Sequence, residues 1–266
     1  MGWLFAALAL VTFFIWQNND VVLSNIDWAC RKVPPPFDGF KILLVTDLHG
    51  KRFGRGQKRL LNMVAACRPD IVAITGDIVD SRRKKTEGAL EFVAQAARIA
   101  PVYYVTGNHE WQYGRYHALK EQLLASGAAV LDNAFVTLQK GEAQIHLAGV
   151  NDPAFGSKNA FKKSLRRLTE LPGMKILLTH RPEEIALYAA YGFDLVLAGH
   201  AHGGQVRLPF IGGLYAPGQG VFPRYTSGIH SMKETAMVVS RGLGNSLFPL
   251  RVFNRPELVL VTLHAV

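Results

Sequence analysis

The stretch Asp194-Leu195-Val196-Leu197-Ala198-Gly199-His200-Ala201-His202-Gly203-Gly204-Gln205 decides the fold. Its first five residues read as a buried strand. The two histidines, one small residue apart between glycines, sit where that strand ends and a loop begins. In open α/β sheets that edge is where ligands bind. Imidazole is the commonest protein ligand for transition metals, and His-x-His in a glycine loop lets two rings reach two neighbouring ions. Two loop histidines taken alone are as often plain surface residues, so the reading depends on other ligands at other strand ends.

Those ligands stand upstream in a repeating strand–helix pattern. Lys41 to Thr46 is a β-branched and leucine run that ends at Asp47-Leu48-His49-Gly50. Extended alternation there predicts that Asp47 and His49 point the same way. Asp70 to Thr75 ends at Gly76-Asp77, and Pro101 to Thr106 ends at Gly107-Asn108-His109-Glu110. Met174 to Thr179 is a further buried strand that ends at His180. Between them, Arg55 to Cys67 carries helical spacing with Leu60, Leu61 and Val64 as its stripe, and Glu87 to Ile99 places Leu90, Val93, Ala94 and Ala97 on one inward face. Ala128 to Leu131, Ala134 to Gln139 and Ala143 to Val150 read as short strands of a second sheet, with later strands at Thr235 to Ser240 and Glu257 to Leu263.

Asp47, His49, Asp77, Asn108, His180, His200 and His202 form a mixed carboxylate, imidazole and amide set without thiolate. That chemistry suits Mn²⁺, Fe or Zn²⁺ rather than calcium or magnesium alone. Seven ligands exceed what one tetrahedral ion needs, and one aspartate bridging two ions accounts for the excess. Ion pairs of this kind sit ~3.5–4 Å apart and clamp both oxygens of an in-line displacement at phosphorus. Taken singly, His180 and Asp77 read as satisfied buried or capping residues, Asn108 as a turn former and His109 as a loop histidine. Their joint appearance at strand ends carries the metal reading. Glu110 reads as a helix-start acid rather than a ligand.

In this order, D-x-H, G-D, G-N-H-E, a lone histidine and G-H-x-H-G-G-Q resemble the calcineurin-like metallophosphoesterase superfamily over residues 40 to 266. Within it the chain looks like the branch of small bacterial phosphoesterases related to YkuE and YaeI, which is related to the UDP-2,3-diacylglucosamine pyrophosphatases of lipid A synthesis. The resemblance implies a four-layer αββα sandwich of two mixed sheets, with two divalent metal ions (Mn, Fe or Zn) at the carboxyl ends of the inner strands. It implies that Asp47, His49 and His202 hold the first ion, that Asp77 bridges, and that Asn108, His180 and His200 complete the second. His109 matches the histidine that protonates the leaving oxygen opposite the attacking metal-bound hydroxide.

The amino end adds a second theme. Trp3 to Trp16 is apolar apart from Thr12 and has a tryptophan at each end. At a rise of ~1.5 Å per residue, Met1 to Trp16 spans roughly 24 Å, against about 30 Å of bilayer hydrocarbon. Residues 1–19 are therefore expected as an N-terminal membrane helix, residues 20–39 as a strand and proline linker, and residues 40–266 as the catalytic domain. A partly embedded helix and an ordinary first helix of the domain are the alternatives. Arg31 and Lys32 lean the domain towards the cytoplasmic side of a cell membrane.

In 266 residues, 49% are hydrophobic, which excludes a disordered chain. Cys30 and Cys67 lie far apart without a CxxC, so neither a disulfide framework nor a zinc knuckle is expected. A net charge of +10 implies acidic partners. Lys158 to Thr169 is a basic amphipathic helix, either a solvated face over Phe161, Leu165 and Leu168 or a platform for anionic headgroups. Arg241, in a glycine-rich loop, is the candidate for phosphate binding.

The leading expectation is a membrane-tethered phosphoesterase or pyrophosphatase acting on a phosphodiester, such as a nucleotide-linked lipid. A phosphatase or nuclease on a water-soluble substrate is the second reading. An inert basic lipid- or nucleic-acid-binding module is the third. No specific nucleic acid is expected, and no protein partner can be inferred from the sequence.

Overall fold

The computed structural model describes residues 2–83, 85–245 and 248–266. Two six-stranded mixed sheets form its centre. In the first, the strand order is Val22–Ala29, Glu257–His264, Lys41–Val45, Ile71–Thr75, Val102–Val105 and Ala128–Val130. The last four run parallel, and Glu257–His264 runs antiparallel to Lys41–Val45. In the second, the order is Gly228–Met232, Thr235–Val239, Leu195–Ala198, Lys175–Leu178, Ala143–Gly149 and Ala134–Lys140, with its four inner strands parallel.

Strand periodicity assigns the faces. In Lys41–Val45, Ile42 and Leu44 turn inwards to meet Leu147, Ile176, Leu178 and Leu197 of the other sheet. Leu43 and Val45 turn outwards, under Leu60, Leu61 and Val64 of the helix Lys58–Cys67 and under Phe92 and Val93 of the helix Glu87–Ala96. On the far side, Phe161 and Leu165 of the helix Lys158–Leu168 and Tyr188 of Ile185–Ala190 cover Leu177, Val196 and Val239. The layers are helix, sheet, sheet, helix.

Two local expectations change. Ala128–Val130 adds to the edge of the first sheet, pairing parallel with Val102–Val105, rather than joining the second. A three-residue run shows its own burial but not which sheet edge lies open to it. The inward face of Glu87–Ala96 is Ala89, Phe92, Val93 and Ala96, with Leu90 and Ala97 only partly buried beside it. The aromatic ring of Phe92 occupies the centre of the contact and turns the helix accordingly.

The first helix, Gly2–Asn19, corrects the expected N-terminal membrane helix and the cell-membrane localisation drawn from it. Among the described residues, no helix is long and apolar enough to cross a membrane. Its last turn is polar, and Gln17 and Asn18 are buried against the domain. The Gln17 Oε1 accepts from the Asn254 backbone N–H at 3.1 Å, and the Asn18 Oδ1 accepts from Asn245 Nδ2 at 2.8 Å and from the Arg251 backbone N–H at 3.1 Å. Phe13 also packs edge-on against Phe253, 5.7 Å between centroids. The end of the helix is thus docked on the catalytic domain, while Trp3, Leu4, Phe5 and Leu8 are exposed. Val22–Ala29 follows it and pairs along its full length with Glu257–His264.

Candidate metal centre

Each metal-type residue leaves the carboxyl end of a parallel strand. Asp47 and His49 follow Lys41–Val45, Asp77 follows Ile71–Thr75, and Asn108 and His109 open the helix Asn108–Tyr113 after Val102–Val105. His180 follows Lys175–Leu178, and His200 and His202 follow Leu195–Ala198. The chain does not stay extended there. Asp47, His49, Asp77, His200 and His202 have φ of 51°, 50°, 51°, 66° and 47°. Left-handed backbone is uncommon outside glycine and is retained where surrounding contacts over-determine it. Here Asp47 N–H donates to Gly76 O at 3.1 Å, His49 N–H to Asp77 O at 3.0 Å and Gly50 N–H to Ile78 O at 2.8 Å, which zips the first two loops together. Asp47 and His49 therefore converge through left-handed turns, not through strand alternation.

The side chains meet in two clusters sharing one carboxylate: Asp47, His49, Asp77 and His202, and Asp77, His180 and His200. His202 Nε2 lies 3.2 Å from Asp47 Oδ1 and 3.1 Å from His49 Nε2. His180 Nε2 lies 3.2 Å from Asp77 Oδ2 and 3.1 Å from His200 Nδ1. Ligands about 2.1 Å from a common ion stand about 3–3.5 Å from one another, so these separations are those of a coordination polyhedron. Six of the seven predicted ligands lie in these clusters, and Asn108 follows the extended Gly107 as the first residue of its helix.

Hydrogen bonds behind the site decide which atom faces it. The Asp47 Oδ2 accepts from Thr46 Oγ1 at 2.8 Å and from the His200 backbone N–H at 3.0 Å, which leaves Oδ1 free. The Asp77 Oδ1 accepts from the His109 backbone N–H at 2.8 Å, which leaves Oδ2 to be shared. His180 Nδ1–H donates to Thr75 O at 2.7 Å, which turns Nε2 inwards. For His109, Ser81 N–H donates to Nδ1 at 3.2 Å, so the neutral ring carries its proton on Nε2, 4.0 Å from Asp77 Oδ2.

The electrostatics are those of a site made for cations. Burial pulls the pKa of His49 down to about 3, and burial with neighbouring positive groups pulls His200 and His202 well below the imidazole range. Burial raises Asp47 to about 6 against the pull of His180, and raises Glu110 to about 7 with the help of the Asp77 charge. For His180, burial is outweighed by Asp77, which lifts it to about 10; for Asp77, burial is outweighed by His180, which holds it well below the carboxylate range. Three imidazoles that resist protonation face two carboxylates. The buried Asp47 Oδ1 and Asn108 Oδ1 have no hydrogen-bond partner among the described residues. Orphaned acceptors beside neutral imidazoles fit divalent cations, which satisfy both at once.

Comparison with known proteins agrees. The family model for the calcineurin-like phosphoesterases matches residues 40–204. The chain belongs to the calcineurin-like phosphoesterase family. This phosphoesterase is 30% identical over 238 residues to the metallophosphoesterase YkuE of Bacillus subtilis, covering 87% of this chain and 81% of YkuE. It is 31% identical over 231 residues to the phosphodiesterase YaeI of Escherichia coli, covering 84% of this chain and 82% of YaeI. The crystal structure of TT1561 of Thermus thermophilus is similar in fold, with a TM-score of 0.51 at 17% identity, over 77% of this chain and 90% of that one. The phosphoesterase is a metal-dependent phosphoester hydrolase.

Several residues around the centre have partners that their place in the sequence does not show. Glu110 does open a helix, but its buried carboxylate also accepts from the N–H groups of Gly107 at 2.6 Å, Asp77 at 2.9 Å and Ile78 at 2.9 Å, tying two ligand loops together. Arg181 is clasped by Asp152 at 2.6 and 3.0 Å and reaches His200 Nε2 at 2.8 Å. Asn254 Nδ2 donates to His202 O at 2.7 Å. Arg241, the phosphate candidate, pairs with Glu257 at 2.9 Å.

Proposed function

We propose that this phosphoesterase hydrolyses phosphodiester or pyrophosphate bonds by direct, in-line attack of water. Asp47, His49 and His202 would hold one ion, Asn108, His180 and His200 the other, with Asp77 between them. The observation that carries this reading is the sharing of Asp77 by both clusters, with Nε2–H of His109 alongside. Bound Mn²⁺, Fe or Zn²⁺ ions supply the positive charge that acidifies a water and neutralises phosphoryl oxygens. The protein's own part is to fix the ligand atoms from behind and to hold a proton on His109 Nε2 for the departing oxygen. No protein nucleophile is needed. The resemblance to YaeI, a phosphodiesterase by name, supports diesters over monoesters.

For the substrate's other arm we favour an apolar group, as in a nucleotide-linked lipid. Phe14, Ile15, Pro249 and Leu250 line a cavity that also includes His49, and the net charge of +10 suits an anionic substrate. The test is hydrolysis of bis(p-nitrophenyl) phosphate by metal-stripped protein reloaded with Mn²⁺, followed by lipid-linked and water-soluble diesters side by side. Metal-independent turnover would refute the catalytic reading, and equal kcat/KM for the two diesters would refute the apolar arm.

A further inference from the structure

The cavity beside His49 has a volume of about 350 Å³ and is partly walled by the last turns of the N-terminal helix. Its cationic side is Lys51 and Arg83, the latter 3.5 Å from Asp80 Oδ2 outside the cavity lining, and no carboxylate is among the described residues that line it. Lys51 is half-buried, and its ammonium donates to the backbone carbonyl of Asn18 at the helix's carboxyl end. A helix carboxyl end is the half-negative end of the macrodipole, so it holds the cation without neutralising it. The ring of Phe53 lies 4.9 Å from the ammonium. Among the described residues this partly buried ammonium has no carboxylate partner, which costs stability, and it stands two residues from the metal-type His49 in the same cavity lining.

We propose that this cavity is an anion subsite, in which Lys51, steadied by the N-terminal helix and assisted by Arg83, binds a second phosphate adjacent to the scissile one. This rests on the hydrolase reading above and narrows it. The preferred substrate is a diphosphate diester, cut at the phosphorus over the ligand clusters, with its neighbouring phosphate against Lys51 and its apolar substituent towards Phe14 and Leu250. The helix then serves the reaction as a wall of the substrate site.

A matched pair tests this: the octyl ester of adenosine diphosphate and the octyl ester of adenosine monophosphate, which differ only in the second phosphate. In the Mn²⁺-loaded protein, Lys51→Met should lower the ratio of kcat/KM for the diphosphate over the monophosphate diester by at least about tenfold. Lys51→Arg should restore most of that ratio, and Arg83→Gln, on the exposed rim, should lower it by a smaller factor. An unchanged ratio in Lys51→Met overturns the subsite. If neither ester is hydrolysed by the wild type, the hydrolase reading fails and the subsite is judged by binding instead. Inorganic pyrophosphate titrated calorimetrically into the metal-free protein should then bind at least about tenfold more weakly to Lys51→Met, and equal binding overturns the proposal.

Discussion

Asp77 Oδ2 lies 3.2 Å from His180 Nε2, while its other oxygen accepts a 2.8 Å hydrogen bond from the backbone N–H of His109. One carboxylate thus joins the two ligand clusters and fixes the start of the helix that carries the candidate proton donor. Removing it should undo both. For Asp77→Ala we expect bound metal, measured by plasma emission spectrometry after Mn²⁺ loading, to fall from two ions per chain to one or fewer. The kcat/KM on bis(p-nitrophenyl) phosphate should fall on the order of 10³-fold or more. Wild-type metal content in the variant would contradict a shared carboxylate.

The same pair sets a pH dependence. In the metal-free protein, burial disfavours the charged His180, but Asp77 outweighs it and lifts the imidazole from 6.5 to about 10. A folded-state pKa raised in this way contributes stability that is complete below pH 6.5 and is lost as pH rises through about 10. A metal needs the neutral ring, so the same proton competes with it, and metal affinity rises over the interval in which that stability declines. At pH 7.5, Mn²⁺ binding should release close to one proton from this group, read as the dependence of calorimetric enthalpy on buffer ionisation enthalpy. His180→Gln should abolish that release.

His109 separates binding from proton transfer. Its Nδ1 is occupied by Ser81 N–H at 3.2 Å, so the proton on Nε2 is the one available on the site side. His109→Ala should retain its metal and lose about 10²–10⁴ in kcat on a diester with an alkyl leaving group. The loss should be far smaller with p-nitrophenol, which leaves without protonation. Equal losses with both leaving groups would show that His109 acts by positioning rather than as an acid.

How much of this could be read from residue order follows from what each signal reports. Apolar runs that end in Asp47, Asp77, Asn108, His180 and His200 report burial followed by sudden polarity, which makes the candidate ligands legible in residue order. Burial patterns do not report sheet membership, so the residues of Ala128–Val130 read equally well as a strand of either sheet. Backbone handedness at Asp47 and His49 leaves no mark in composition, because neither residue type requires it and only the hydrogen bonds between loops impose it. The N-terminal helix misled for a related reason. Its apolar run is real, but Gln17 and Asn18 act through partners at Arg251 and Asn254, more than two hundred residues away.

Glu110 illustrates a group whose importance is structural. Its carboxylate satisfies the buried N–H groups of Gly107, Asp77 and Ile78, and Glu110→Ala would leave them unpaired. Unsatisfied buried donors cost about 1–3 kcal/mol each, with partial relief from entering water. We expect a loss of about 3 kcal/mol in the metal-free protein, seen as a Tm lower by roughly 6–12 °C. Metal should restore part of that Tm by binding only the folded form. A Tm unchanged within 2 °C, taken as about 1 kcal/mol or less, would mean that water replaces the carboxylate in full.

Gly199 shows how closely the second sheet is pressed against the first at the site. A Cβ at this position would stand 2.0 Å from Thr46 Oγ1 and 2.5 Å from Asp47 Oδ2, both buried. Neither neighbour can swing clear, because Thr46 Oγ1 donates to that same Asp47 oxygen, which also accepts from the His200 backbone N–H at 3.0 Å. Gly199→Ala must therefore push Asp47 away from His202 or part the loops that bring the two sheets together. We expect the variant to fold with a Tm reduced by several degrees and to bind the first Mn²⁺ at least tenfold more weakly. The cluster of Asp77, His180 and His200 should lose less affinity, since it is linked to the displaced groups through the His200 backbone N–H and through the bond from Thr46 Oγ1 to Thr75 O at 3.2 Å, not through one of its ligand atoms. Stepwise Mn²⁺ titration followed by electron paramagnetic resonance resolves the two affinities, and parallel weakening of both would mean that the contact acts on the whole centre rather than on Asp47.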